Sequence, residues 1–209
     1  MTTPEHAALA VSLGLAVRLH ERYGVAMLVP VGLAAVSPDW DGLAGFVDLR
    51  YFDHGHRVWG HGILPAVVMG AVVAAIATAG RLGERAVVLC NRIDGIRLRP
   101  RNRAGVATAA FIGAAAAASH IPADIVVSGA EGIRDWPVSI LWPLDGPKVV
   151  YPMLRWGDPG PTLMLAGGLI VAALRPRHAV AAARTGLLVL GVYLIVGRMR
   201  VLMEPPADF

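Results

Sequence analysis

The chain has 209 residues, 56% of them hydrophobic and only 16% charged, with a formal net charge of +4. Together with a mean hydropathy of +0.57, that composition excludes an ordinary soluble domain of this length and makes the bilayer the expected solvent. A single cysteine, Cys90, excludes an internal disulfide.

Six apolar stretches follow one another: Glu5 to Leu19, Val25 to Val36, Gly62 to Ala79, Ala104 to Ser128, Thr162 to Leu174 and Thr185 to Gly197. The third and fourth approach the roughly 20 residues that a membrane-crossing helix needs, while the others are shorter and call for extension, tilt or pairing. The expected fold class is therefore all-α, a polytopic membrane helical bundle with four to six membrane helices in a single domain over residues 1–209. The first six residues carry no basic cluster and no cleavage site follows Ala7 to Val17, so a removable signal peptide is not expected.

Charge orients the bundle. If the six stretches alternate, one face receives Arg18 to Gly24, Gly80 to Arg103 and Arg175 to Arg184, which hold 12 of the 19 basic residues and 3 of the 15 acidic ones. The positive-inside rule makes that face cytoplasmic. The run Arg97-Leu98-Arg99-Pro100-Arg101-Asn102-Arg103 then reads as an orientation signal in contact with anionic lipid, and no nucleic-acid partner is expected. Most of the acidic residues, with His6, His54, His56, His61 and His120, fall on the opposite, extracytoplasmic side.

Three motifs on that side carry residues able to do chemistry. Ser37-Pro38-Asp39-Trp40-Asp41 closes the second stretch with two carboxylates. His56-Arg57-Val58-Trp59-Gly60-His61 precedes the third, with two imidazoles and a cation suited to an anionic substrate oxygen. Within the fourth, His120 and Asp124 stand four residues apart, which on a helix places them on one face. Ionisable groups inside an apolar segment are costly and point to function. With His6 these residues form a pool, His6, Asp39, Asp41, His56, His61, His120 and Asp124, able to hold one to three divalent ions, with zinc suiting the His/Asp mixture. An unligated Asp39 or Asp41 is a candidate general base, and Arg57 is either a phosphate clamp or the partner of a carboxylate in the site. The pool requires distant segments to converge, so that His61 and Asp124 share one pocket.

The same residues, in the same order and continuing to Leu141-Trp142-Pro143, resemble the YdjM-like family of bacterial membrane-bound metal-dependent hydrolases, also described as LexA-binding and inner membrane-associated. The family pattern is an early His, Leu-Pro-Asp-Ile-Asp, His-Arg-Gly-x-Thr-His-Ser, Ser-His-x-x-x-Asp and a Trp-Pro. Gly60 and Gly62 stand where that pattern has hydroxyl residues, and Val58 where it has glycine. The family is distantly similar to zinc-dependent phospholipase C and P1-type nucleases, which implies phosphoester hydrolysis at a zinc cluster. The resemblance thus implies an inner (plasma) membrane hydrolase acting on a phosphoester or lipid-linked substrate, with membrane lipids as its surroundings. The rival readings are a non-catalytic metal-stabilised membrane protein or regulatory scaffold, and a transporter; the sequence leaves protein partners open.

Overall fold

The computed structural model describes residues 1–48, 50, 52, 55–94, 99, 102–129 and 136–203. His54 and much of the Arg97 to Arg103 run, with Arg97 and Arg101, lie outside the described residues.

Helix α1 (Thr3–Ala16) starts where the Glu5 carboxylate accepts a hydrogen bond from the Thr2 N–H at 2.7 Å, satisfying a donor that a helix start otherwise leaves unpaired. Arg18, with a left-handed φ of 63°, then breaks the first apolar stretch. The short α2 (Leu19–Tyr23) and a 3-10 turn lead to α3 (Leu28–Val36). Pro38 lacks the N–H that would continue α3; the Ser37 hydroxyl donates instead to the Ala34 carbonyl at 2.8 Å. The chain tightens into the 3-10 segment Ser37–Phe46, which carries Asp39 and Asp41.

Helix α4 (Ile63–Ala79) follows and turns by 60° into α5 (Leu82–Asp94). The Gly80 to Arg103 connection thus contains a helix with charged residues on one side rather than a plain loop. Helix α6 (Val106–Val126) runs through Pro122 without a break. After it, β1 (Val127–Gly129) pairs in parallel with β2 (Leu154–Arg155), and α7 (Pro159–Leu174) and α8 (Ala179–Met203) complete the bundle.

Among the described residues, two helices are long and apolar enough to cross a membrane, α6 and the segment Pro176–Arg200; the bent α4–α5 pair makes a third if it counts as one span. Four to six membrane helices are thus more than length and apolarity support. Helices α1 and α3 have 14 and 9 residues, which at 1.5 Å per residue fall short of a hydrocarbon core of about 30 Å.

The closest helix pair sets the site. A Cβ added at Gly70 of α4 would lie 2.5 Å from the Gly113 carbonyl oxygen of α6, and one at Gly113 would lie 2.4 Å from that of Gly70. Only glycine permits such backbone approach. Because α4 begins just after His61 while His120 and Asp124 lie two and three turns beyond Gly113, this contact brings three distant ligand candidates to the same depth.

Candidate metal centre

His6, Asp41, Arg57, His61, His120 and Asp124 are all buried, although buried charges are expensive unless paired or bound to metal. His61 Nε2 stands 3.0 Å from Asp124 Oδ2 and 3.0 Å from His120 Nε2. The pocket shared by His61 and Asp124 exists. His120 Nε2 is 3.6 Å from the same carboxylate oxygen, and Asp39 Oδ1 lies 3.7 Å from His61 Nε2 and 3.3 Å from His120 Nε2.

The far side of each ring decides what these atoms are. His120 Nδ1 faces the Ala35 carbonyl at 2.8 Å, which can only accept, so Nδ1 carries the proton. His61 Nδ1 faces Asp41 Oδ2 at 2.8 Å, and it too donates to an acceptor. In a neutral imidazole the other nitrogen is then a bare lone pair. Two lone pairs and two carboxylate oxygens therefore converge on one point, an arrangement that repels itself unless a metal ion or a proton lies between them. Bonds of about 2.0–2.1 Å to a tetrahedral ion would hold ligand atoms roughly 3.3–3.4 Å apart, and the five separations above bracket that value. The side chains fit a metal ion.

His6 completes the inner wall. Its ring stacks on that of His120 with centroids 3.4 Å apart, Nε2 lies 3.0 Å from Asp124 Oδ1, and Nδ1 is buried without a hydrogen-bond partner. The Met1 amino group also contacts Asp124. Donor atoms of His6, Asp39, His120 and Asp124 lie within 4.8 Å of one another, and so do those of Asp39, His56 and His61. Asp39 belongs to both groups.

Family membership follows from the whole chain. The profile described as YdjM inner membrane protein matches residues 1–202. The chain belongs to the YdjM family. No curated protein and no solved structure matches it. As a YdjM inner membrane protein it has both the bilayer setting and the apolar helices expected from its sequence.

Within this YdjM chain, two of the expected site residues, Asp41 of the pool and Arg57 beside it, have further work. Asp41 accepts from His56 Nδ1 at 2.7 Å through Oδ1, and from His61 Nδ1 and the Gly60 N–H at 2.8 and 3.2 Å through Oδ2. Both oxygens thus orient imidazoles. This orienting role stands beside the expected one of ligand or general base, since Oδ1 accepts a single hydrogen bond and keeps a lone pair. Arg57, expected to clamp substrate or to pair with a site carboxylate, is enclosed. Its guanidinium donates to the carbonyls of Trp136 and Asp124 at 2.7 and 3.3 Å, lies 3.3 Å from Asp124 Oδ1, and sits over the Trp136 ring. It satisfies the C-terminal end of α6, where a cation is favoured, and steadies Asp124.

Electrostatics agree with this division. Burial pushes the Asp41 carboxyl up, but hydrogen bonds from His56 and His61 outweigh it and leave its pKa below the ordinary value. Asp39 follows the same pattern: burial raises it, and hydrogen bonding with His120 brings it well below the ordinary carboxylate range. For His61, burial disfavours the charged ring, yet hydrogen bonds to Asp124 and Asp41 prevail and raise its pKa above that of a free imidazole.

The glycines that depart from the family pattern have a structural reason. A Cβ at Gly60 would meet the Pro38 carbonyl oxygen at 2.1 Å, and one at Gly62 the Trp142 carbonyl oxygen at 2.7 Å. The Gly60 N–H supplies a hydrogen bond to Asp41 directly. Thr3, which sequence reading passed over, donates to Asp39 Oδ2 at 2.6 Å; its place one turn before His6 on α1 was the available signal.

Proposed function

We propose that this YdjM protein is a membrane-bound metal-dependent hydrolase acting on phosphoesters at the extracytoplasmic face. The observation that carries this reading is the convergence of two imidazole lone pairs with the Asp39 and Asp124 carboxylates, beside a cleft to which Asp39 and His56 give access. In the deep position, His61, His120, Asp39 and Asp124 would hold one ion, with His6 against it. His61 Nε2 can serve only one ion, so a second position on the cleft side would rest on Asp39 and His56. Zinc fits this donor set best.

A bound ion there lowers the pKa of water and offsets charge building up on phosphoryl oxygen. The chain's own residues do the rest. Asp41 holds the two imidazoles in their donor tautomers, Arg57 fixes Asp124, and Thr3 orients the Asp39 carboxylate. Asp39, the one carboxylate common to cluster and cleft, takes the proton of the attacking water. The water oxygen forms a bond to phosphorus, the P–O ester bond breaks, and the proton passes to the departing alkoxide, giving an alcohol and a phosphomonoester from a diester.

Purified protein in detergent tests this with a soluble phosphodiester and a phospholipid, each with and without chelator. Turnover that needs metal and disappears in His120→Ala supports the reading. Stoichiometric metal without turnover of either compound overturns it and favours a metal that only ties together the segments supplying its ligands.

A further inference from the structure

We infer that the cleft beside Asp39 and His56 takes a single apolar chain of an anionic amphiphile, so that the substrate of the proposed hydrolase is a lipid-like phosphoester whose head lies at the cluster and whose tail lies along the Ser37–Phe46 segment. The inference rests on the hydrolase reading for the word substrate, but the binding it asserts stands apart from turnover.

The cleft has a volume of about 710 Å³, within the range of small-molecule sites. Asp39 and His56 line it and also belong to the candidate metal groups, so any occupant reaches the cluster. Beyond them and Thr2 and Thr3 at the start of α1, its walls are mostly apolar, with Trp40, Leu43, Phe46 and Trp156. Among the described residues lining it no Arg or Lys occurs. Among the described lining residues the Met1 amino group is engaged with Asp124, so a second charged part of a ligand would find no free ionic partner among them, whereas a hydrocarbon chain would be removed from water along its length. His56 is held at the inner end by Asp41 and by stacking on Phe52, with ring centroids 4.6 Å apart.

The open end continues outward over apolar side chains. Phe46 is 90% exposed, Val47 84% and Leu43 53%. In a soluble protein such a run would be a liability; in an inner membrane protein it is a surface suited to lipid. The segment that bears it follows directly on α3 and also carries Asp39 and Asp41; Trp40, Leu43 and Phe46 recur at every third residue, which aligns them along one edge of a 3-10 segment. One short stretch of chain thus supplies both the apolar wall of the cleft and carboxylates of the cluster. A molecule with one anionic head and one hydrocarbon tail matches both.

The test uses the metal-loaded full-length protein in detergent and the probes n-butyl, n-hexyl and n-octyl phosphate, with binding followed by titration calorimetry. Each added methylene that enters the cleft should tighten binding about fourfold, and butyl to octyl on the order of two hundredfold. Leu43→Gln should cut that octyl-to-butyl ratio severalfold, and since micelles are common to both proteins, the difference between them reports the cleft. Trp40→Gln, at another exposed wall position, should act in the same direction. Equal affinity for the three probes, no binding of any, or a ratio unchanged in both variants would overturn the inference. Chain-length-dependent binding without phosphodiester turnover would uphold the cleft and refute the hydrolase; turnover indifferent to chain length would do the reverse.

Discussion

Replacing Asp41 with asparagine separates orientation of the ligands from ligation itself. The carboxylate accepts from two histidine Nδ1 atoms, at 2.7 and 2.8 Å, and from the Gly60 N–H at 3.2 Å. An asparagine has one accepting oxygen, so one imidazole must face an NH2 group that also donates. That ring then changes tautomer or turns away, and in either case the nitrogen aimed at the cluster loses its lone pair or its direction. Loss of one such orienting partner typically costs 10–100-fold in metal affinity. Because Asp41 serves both His56 and His61, Asp41→Asn should fall at the upper end, about 100-fold or roughly 2.7 kcal/mol. Zinc affinity measured by competition with a chromophoric chelator provides the assay, with thermal unfolding of the metal-free protein as the control for folding. An Asp41→Asn protein that folds normally and binds zinc within about threefold of the parent would refute the reasoning.

Arg57→Met should lower stability by about 3–5 kcal/mol, since it removes the buried cation and leaves the Asp124 carboxylate and the Trp136 and Asp124 carbonyls without it; thermal unfolding in detergent measures it. Gly113→Val should destabilise by about 1–3 kcal/mol through overpacking against Gly70 and Ala74 and should weaken zinc binding at the same time, because it separates the helices that carry His61 and His120. Tyr193→Phe removes the hydroxyl hydrogen bond to Asp158, 2.9 Å long at the start of α7, and should cost about 0.5–1.5 kcal/mol without altering zinc affinity. Acidification should weaken metal binding: the raised His61 pKa means that its proton is held more tightly than on a free imidazole, so competition by protons is felt as pH falls through and below that raised value. Chelator competition at pH 8 and pH 6 checks the sign, and tighter binding at pH 6 would contradict it.

The pairing of His120 with Asp124 was legible in the sequence because both lie on one helix at a spacing of four. The convergence of His61 with that pair was not carried by any local pattern; it depends on the Gly70–Gly113 contact, and glycines within apolar helices are too common to announce a particular partner. The orienting role of Asp41 was hidden for a related reason, whereas pairing of Arg57 with a site carboxylate was one of its two expected roles. A carboxylate near histidines reads equally as a ligand or as the group that orients one, and only the hydrogen bonds to the far ring nitrogens separate the two. Apolar length located α4 and α6 well but overstated the first stretch, which the left-handed Arg18 cuts short. The segment that forms α5 holds only a five-residue apolar run, Ala86 to Cys90, between polar and charged residues, so a search for long apolar runs passes over it. Strands of three and two residues are too short to show any alternation.

X-ray absorption at the zinc edge of the reconstituted protein addresses the metal centre most directly. Two imidazole ligands with carboxylate oxygens, at about 2.0–2.1 Å, are expected, with the imidazole scattering reduced in His61→Ala. A protein that retains no zinc, or whose zinc environment is the same in the parent and in His61→Ala, would contradict the assignment of the buried His/Asp cluster as a metal site.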